Sequence, residues 1–446
     1  MWLLKDEELL FSSFLLFSKM KFLLKNTLFY FLMINAIIRL LRGNSQMLKL
    51  EDFKAAKKRV DEVILETHLI HSDAFSEECG NDVYIKPENL QRTGAFKIRG
   101  AYNKIVKLDD EAKKRGLIAS SAGNHAQGVA YAANKLGVKA TIVMPSHTPL
   151  IKVEATKAHG AEVVLAGEVY DDAYAKAVEL QESEGYTFVH PFDDEDVMEG
   201  QGTIALEILD ELPDTDMILV PIGGGGLISG IAAAAKMIKP DIKIIGVEPE
   251  GAASASAAIQ EDQVVLLKEV DTIADGTAVQ QIGSKTFKYI KEYVDDIVLV
   301  NDYELMEAFL VLVEKHKLVA EGSGILALAG LKKLDVKGKK VVSLISGGNI
   351  DVLTISSMIN KGLLSRGRIF TFSVQLQDKP GQLEIISKVL ARMNANVIGV
   401  DHNQFKNYAR FSEVELRVTA ETNGHAHIQS IIDEFTKLGY TITKID

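Results

Sequence analysis

Between about residues 48 and 357 the apolar positions alternate between two textures. Short β-branched runs at 117–120, 140–144, 162–165, 217–221, 242–247 and 341–345 read as buried strands, and stretches with helical spacing, such as 171–184 and 228–238, lie between them. Strands that are apolar throughout, separated by helices, predict a parallel sheet covered on both faces, the α/β class. In such folds ligands sit outside the carboxyl ends of the strands. After residues 361–367, expected to be a linker, the pattern changes. A strand at 368–377, a turn at 378–381, a helix at 382–393, strands at 395–401 and 412–420, a helix at 426–438 and a strand at 441–445 give the order βαββαβ, a small α+β domain.

Residues 1–46 differ from everything after them. They are rich in Leu, Phe, Lys and Asn, and their longest uncharged run, 26–38, is shorter than the roughly 20 residues that cross a bilayer. The acidic start and the Gly43-Asn44-Ser45 region do not make a secretory signal. Translation is expected to start at Met47, where an amphipathic helix opens, which would make 1–46 a mis-assigned upstream extension; the competing reading is a membrane-surface helix. The expected organisation is therefore a 1–46 extension, a 47–364 α/β domain and a 369–446 α+β domain.

Composition narrows the class. A chain of 446 residues with 47% hydrophobic and 25% charged residues is a globular protein of two or three domains. A net charge of -11 without a basic face argues against nucleic acid. The single cysteine, Cys79, excludes internal disulfides and fits a reducing cytoplasm. No membrane association is expected of residues 47–446.

Four stretches carry candidate chemistry. In Asn89 to Tyr102, Lys97 stands between Phe96 and Ile98 and opens a small-residue helical run. Partial desolvation, with Arg92 and Arg99 nearby, would favour the neutral amine that attacks an aldehyde; a snorkelling surface lysine is the plain alternative. Ser120 to Gly128 follows a strand and opens a helix, so it reads either as N-capping by Ser121 or as a carboxylate site on free backbone N–H groups. Gly223-Gly224-Gly225-Gly226-Leu227, again between strand and helix, lets backbone wrap an anion closely and matches no nucleotide fingerprint, which favours a phosphate monoester. Ser346-Gly347-Gly348-Asn349 ends a strand in the same layer; its hydroxyl suits a heterocyclic nitrogen, or the tetrapeptide is a tight turn.

Together and in this order, the four stretches resemble the fold-type II pyridoxal-phosphate enzymes and, within them, the threonine/serine ammonia-lyases, over about 48–357. The segment Asp378-Lys379-Pro380-Gly381-Gln382-Leu383 resembles an ACT-type regulatory domain. The resemblance implies pyridoxal 5'-phosphate held by Lys97 as a Schiff base and packed near Phe96, its phosphate on Gly223, Gly224, Gly225, Gly226 and Leu227, its ring hydroxyl on Asn124, its ring nitrogen on Ser346, and Glu321 close to the ring. Ser121, Ala122, Gly123, Asn124 and His125 would hold the substrate carboxylate. Lys97, once released, would be the general base for eliminating the β-hydroxyl of L-threonine, with L-serine secondary. Racemases of this kind carry a second serine where this chain has Ala122, so dehydration is expected over racemisation. Glu248 matches a metal-ligand position of some relatives, but the acidic residue expected six positions on is Ser254, and no metal is expected. The resemblance further implies a homotetramer or homodimer and an effector such as isoleucine or valine at the C-terminal domain. The alternatives are a serine-preferring ammonia-lyase or racemase, and a non-catalytic amino-acid sensor.

Overall fold

The computed structural model describes residues 47–403 and 413–445, so the expectations for 1–46 lie outside the described residues. In chain order the strands are β1 (Ile70–His71), β2 (Asp82–Pro87), β3 (Leu117–Ser120), β4 (Ala140–Met144), β5 (Glu162–Leu165), β6 (Thr187–Phe188), β7 (Met217–Pro221), β8 (Lys243–Pro249), β9 (Asp296–Val300) and β10 (Lys340–Ile345), followed by β11 (Ile369–Gln377), β12 (Asn396–Asn403), β13 (Glu413–Glu421) and β14 (Ile442–Ile445). Among the described residues they form three sheets. A six-stranded sheet has the order β1-β2-β10-β7-β8-β9, parallel except for β1. A parallel four-stranded sheet has the order β5-β4-β3-β6.

Central strands are apolar because helices cover both faces. Leu117–Ser120, Ala140–Met144 and Met217–Pro221 are buried at every position. β5 departs from the expectation of a buried strand: as an edge strand it leaves Glu162 and Leu165 exposed. Four strands escape the sequence pattern. β1 and β6 have two residues each, β9 is only half-buried along most of its length, and β2 carries Asp82, Lys86 and Pro87, which interrupt its apolar run.

The helix Lys97–Lys107 packs against the helix Asn124–Lys135 through Ile98, Ala101, Tyr102 and Ile105, and against the helix Glu195–Glu211 through Gly100, which lies on Val197, Gly200 and Gln201. Its first residue, Lys97, lines one pocket with Asn124, from the loop after β3, and with glycines 223–226, from the loop after β7.

The C-terminal segment has the expected βαββαβ order, an antiparallel sheet β12-β13-β11-β14 with the helices Gln382–Arg392 and His425–Lys437. Alternate residues of β13 are buried, and they join Phe370, Phe372, Ile386, Leu390, Ile431 and Phe435 in one core. The expected linker at 361–367 is helical instead through Ser365, as the end of the helix Val352–Ser365. Gly362 lies against Leu310, Arg366 pairs with Glu307 and Glu314, and Arg368 with Glu314, so packing and ion pairs stabilise a helix that Gly362 alone would weaken.

Candidate active site

Three chain segments meet at the carboxyl ends of β3, β7 and β10. The turn after β10 runs antiparallel to the residues before Lys97: the Phe96 N–H donates to the Ser346 carbonyl at 3.1 Å, the Gly348 N–H donates to the Gly94 carbonyl at 2.8 Å, and Ala95 bridges Gly347. This short ladder brings Lys97 and Ser346 into one pocket, lined also by Phe96, Asn124, Phe192, the glycines 223–226, Leu227, Thr277, Glu321 and Ser323.

The Lys97 amine donates to the Pro191 carbonyl at 2.9 Å. Burial lowers its pKa to about 8, with the Glu321 carboxylate pulling the other way. The expected help from Arg92 and Arg99 is absent. Arg99 is fully buried and spends its charge on Glu88 and Glu207, so it turns its guanidinium away from the amine.

The tetraglycine turn opens the helix Gly226–Ile238, whose first N–H groups have no intrahelical partner and face an anion favourably. Gly225 has φ +92°, which L side chains resist. A Cβ on Gly224 would lie 2.3 Å from the Phe192 ring, so packing alone requires a glycine here. The Gly224 carbonyl accepts from Thr286 Oγ1 at 2.8 Å. Behind Phe192, Asp193 accepts from the Lys285 and Thr286 N–H groups and anchors the loop on the helix Ser284–Tyr293.

Asn124 donates to Glu321 Oε1 at 2.6 Å and accepts from Asn349 at 2.8 Å. Glu321 also accepts from Ser323 Oγ at 2.9 Å; burial raises its pKa against those hydrogen bonds. The Ser346 hydroxyl donates to the Ser323 carbonyl at 3.3 Å.

The expected carboxylate loop is divided. Asn124 lines the pocket, whereas Ser121, Ala122 and Gly123 are half-exposed beside it. Ser121 accepts from the Gly123 N–H and does not cap the helix, which begins at Asn124. The His125 side chain is directed elsewhere, to the Val189 carbonyl at 2.8 Å, and burial first, then Lys97, lowers its pKa to about 3. Only its backbone N–H remains to serve a carboxylate. Glu248 is buried and accepts from the Ala255 and Ser256 N–H groups and Ser256 Oγ, so it caps a helix. Phe192, Thr277 and Ser323 escaped the sequence reading. Phe192 follows the two-residue β6, whose brevity hides the strand-then-loop signal.

The matched family description is "Pyridoxal-phosphate dependent enzyme", over residues 60–347, and the chain belongs to that family. Its similarity to individual members is closer than the shared fold requires. It is 46% identical to an L-threonine ammonia-lyase of Thermotoga maritima over 397 residues, 89% of this chain and 99% of that protein. Among solved structures it resembles the processed form of threonine deaminase isoform 2 from Solanum lycopersicum, with TM-score 0.68, 40% identity and coverage of 72% of this chain and 94% of that one. It also resembles maize serine racemase, with TM-score 0.67, 34% identity and coverage of 71% and 98%.

The pocket fits pyridoxal 5'-phosphate, the family's cofactor. It offers an amine of lowered pKa, a glycine cradle at a helix N-terminus, and a neutral hydroxyl at a strand end.

Proposed function

We propose that this protein is a pyridoxal-phosphate threonine ammonia-lyase, which converts L-threonine to 2-oxobutanoate and ammonia, with L-serine to pyruvate as the secondary reaction. One observation carries the reading: the Lys97 amine, the tetraglycine turn and Ser346 line a single pocket. Gly223 to Leu227 would grip the cofactor phosphate, Lys97 its aldehyde, Asn124 its ring hydroxyl and Ser346 its ring nitrogen, with Phe96 and Glu321 beside the ring. Bound there, the cofactor supplies an electron sink for the α-carbon of the substrate. Ser121, Ala122, Gly123, Asn124 and His125 hold the carboxylate through backbone N–H groups and the Ser121 hydroxyl.

Lys97 acts as the base. An amine with pKa about 8 has a substantial neutral fraction at pH 7 to 8, whereas one at the ordinary 10.5 has almost none. Ser346, a neutral hydroxyl, would hold the ring nitrogen without charging it, so that the cofactor would supply a moderate electron sink.

Similarity to a serine racemase supports a second reading, a serine-preferring lyase or racemase. Ala122 speaks against racemisation: its side chain packs on the core that contains Ala119 and Ala126, and it has no group that handles a proton. Incubation with L-threonine and with L-serine tests both readings. Ammonia and 2-oxobutanoate from threonine support the lyase; D-serine without oxo-acid supports the racemase.

The βαββαβ segment is an ACT-like regulatory domain in this reading, following a catalytic domain of residues 47–364. It senses an amino acid such as isoleucine or valine in a homotetramer or homodimer. The single cysteine, Cys79, fits a reducing compartment, and we place the enzyme in the cytoplasm on that ground; among the described residues no helix is long and apolar enough to cross a membrane.

A further inference from the structure

Asn349 closes the turn after β10, and its side chain stands one layer behind the pocket. Its Nδ2 donates to the Thr93 carbonyl at 2.7 Å and to Asn124 Oδ1 at 2.8 Å. Asn124 in turn donates through Nδ2 to Glu321 Oε1 at 2.6 Å.

The two ends of this chain are the Thr93 carbonyl and Glu321 Oε1, which also accepts from Ser323 Oγ, so both are acceptors. Between two acceptors only one polarity satisfies both amides. Asn349 must turn its NH2 to Thr93, and the second hydrogen of that nitrogen then requires an acceptor, which is Asn124 Oδ1. The Asn124 NH2 is thereby turned to Glu321, and its other hydrogen is the one polar hydrogen the amide can offer to the pocket it lines.

The same residue braces the approach to Lys97. Thr93 sits at φ +62°, a strained conformation for a threonine, in the turn just before the lysine. Gly94 packs so closely that a Cβ there would lie 2.4 Å from Asn349 Oδ1.

We propose that Asn349 is a positioning residue: acting through Asn124, it ensures that a hydrogen-bond donor, and not an acceptor, faces the cofactor. This rests on reading the pocket as the pyridoxal-phosphate site with Asn124 against the ring hydroxyl.

Two variants separate orientation from simple space-filling. Asn349→Asp keeps the size but cannot donate at either contact, so its carboxylate competes with Glu321 for the Asn124 NH2 and turns Oδ1 towards the pocket in part of the molecules. Asn349→Ala removes both contacts and leaves Asn124 free to keep its NH2 in place part of the time. If Asn349 only fills space, Asp is mild and Ala severe. If it sets polarity, Asp is the worse of the two, with kcat for threonine falling about ten-fold or more and KM changing less than about three-fold, the size of one lost hydrogen bond.

The second readout is spectroscopic. An acceptor and an added negative charge beside the ring oxygen favour its protonated form, so the pH midpoint of the bound cofactor's visible absorption rises by about one unit in Asp and by less in Ala. An Asp variant with wild-type kcat and wild-type midpoint overturns the proposal. If Asp is insoluble, Ala decides the matter: an upward midpoint supports the proposal and an unchanged one overturns it. A wild-type protein that takes up no cofactor refutes the underlying site reading instead, before any variant is compared.

Discussion

Replacing Arg99 by Met exposes how the helix that begins at Lys97 is held in place. Arg99 is fully buried and makes paired hydrogen bonds of 2.8 Å to both oxygens of Glu88, and of 2.7 and 2.8 Å to those of Glu207; Lys86 completes the cluster on Glu207 at 2.8 Å. Arg99 and Lys86 face the carboxylates of Glu88 and Glu207, with Lys57 at 3.6 Å from Glu207 on the cluster's edge; Arg99→Met keeps the approximate volume, takes from buried Glu88 the cation bonded to it and leaves Glu207 with Lys86 and Lys57 alone. Burial alone would raise Glu207, but the charge and hydrogen bonds of Arg99, followed by those of Lys86, hold it near 2 against an ordinary 4.5. That difference corresponds to about 3 kcal/mol, of the same order as the cost of breaking a buried pair.

The sign with pH separates charge from packing. In the wild type Glu207 is depressed, so its contribution is complete above pH 4.5 and is lost as pH falls towards about 2. In the variant burial is no longer opposed by Arg99 and the carboxyl titrates higher, so folding takes up a proton and the deficit shrinks on acidification. Urea denaturation at pH 8, 7, 6 and 5 is expected to show a deficit of about 3 kcal/mol at pH 8 that narrows by at least about 1 kcal/mol at pH 5. A deficit independent of pH would mean a packing defect and would refute the electrostatic reasoning.

Other outcomes follow from the pocket. Uptake of pyridoxal phosphate by the apoenzyme should accelerate with pH around a midpoint near 8, because the neutral Lys97 amine is the reactive form; a midpoint near 10.5 in stopped-flow absorbance would contradict the lowered pKa. Gly224→Ala drives a methyl into the Phe192 ring, and overpacking of about 1–3 kcal/mol should weaken cofactor binding by roughly ten-fold or more in equilibrium dialysis, with unchanged affinity counting against the cradle. Glu248→Ala strands the Ala255 and Ser256 N–H groups and should lower stability by about 1–3 kcal/mol in thermal unfolding while threonine turnover persists; lost turnover with intact stability would give Glu248 a role in the site.

The central parallel strands were legible because burial on both faces makes them apolar throughout, and the glycine turns because they sit between strand and helix. The short strands β1 and β6 were not, since two residues carry no period. Lys97, the four glycines and Ser346 stand in stretches whose neighbours signal turns, and the resemblance of those stretches, taken together, to a known family named Asn124 beside them. Phe192 and Thr277 reach the pocket from segments whose neighbours give no hint of them, and Asn349, though it lies in a turn the sequence singles out, acts through partners distant in sequence. The same limit misdirected the reading of Arg99 and His125: their partners Glu207 and Val189 lie 108 and 64 positions away.

Borohydride reduction of the cofactor-loaded protein, followed by peptide mass mapping, tests the central assignment most directly, because reduction fixes a Schiff base where it stands. A pyridoxyl phosphate mass on the peptide bearing Lys97, and its disappearance when L-threonine is added in excess before reduction, is the expected result. The same mass on another lysine, or on none, would contradict the account.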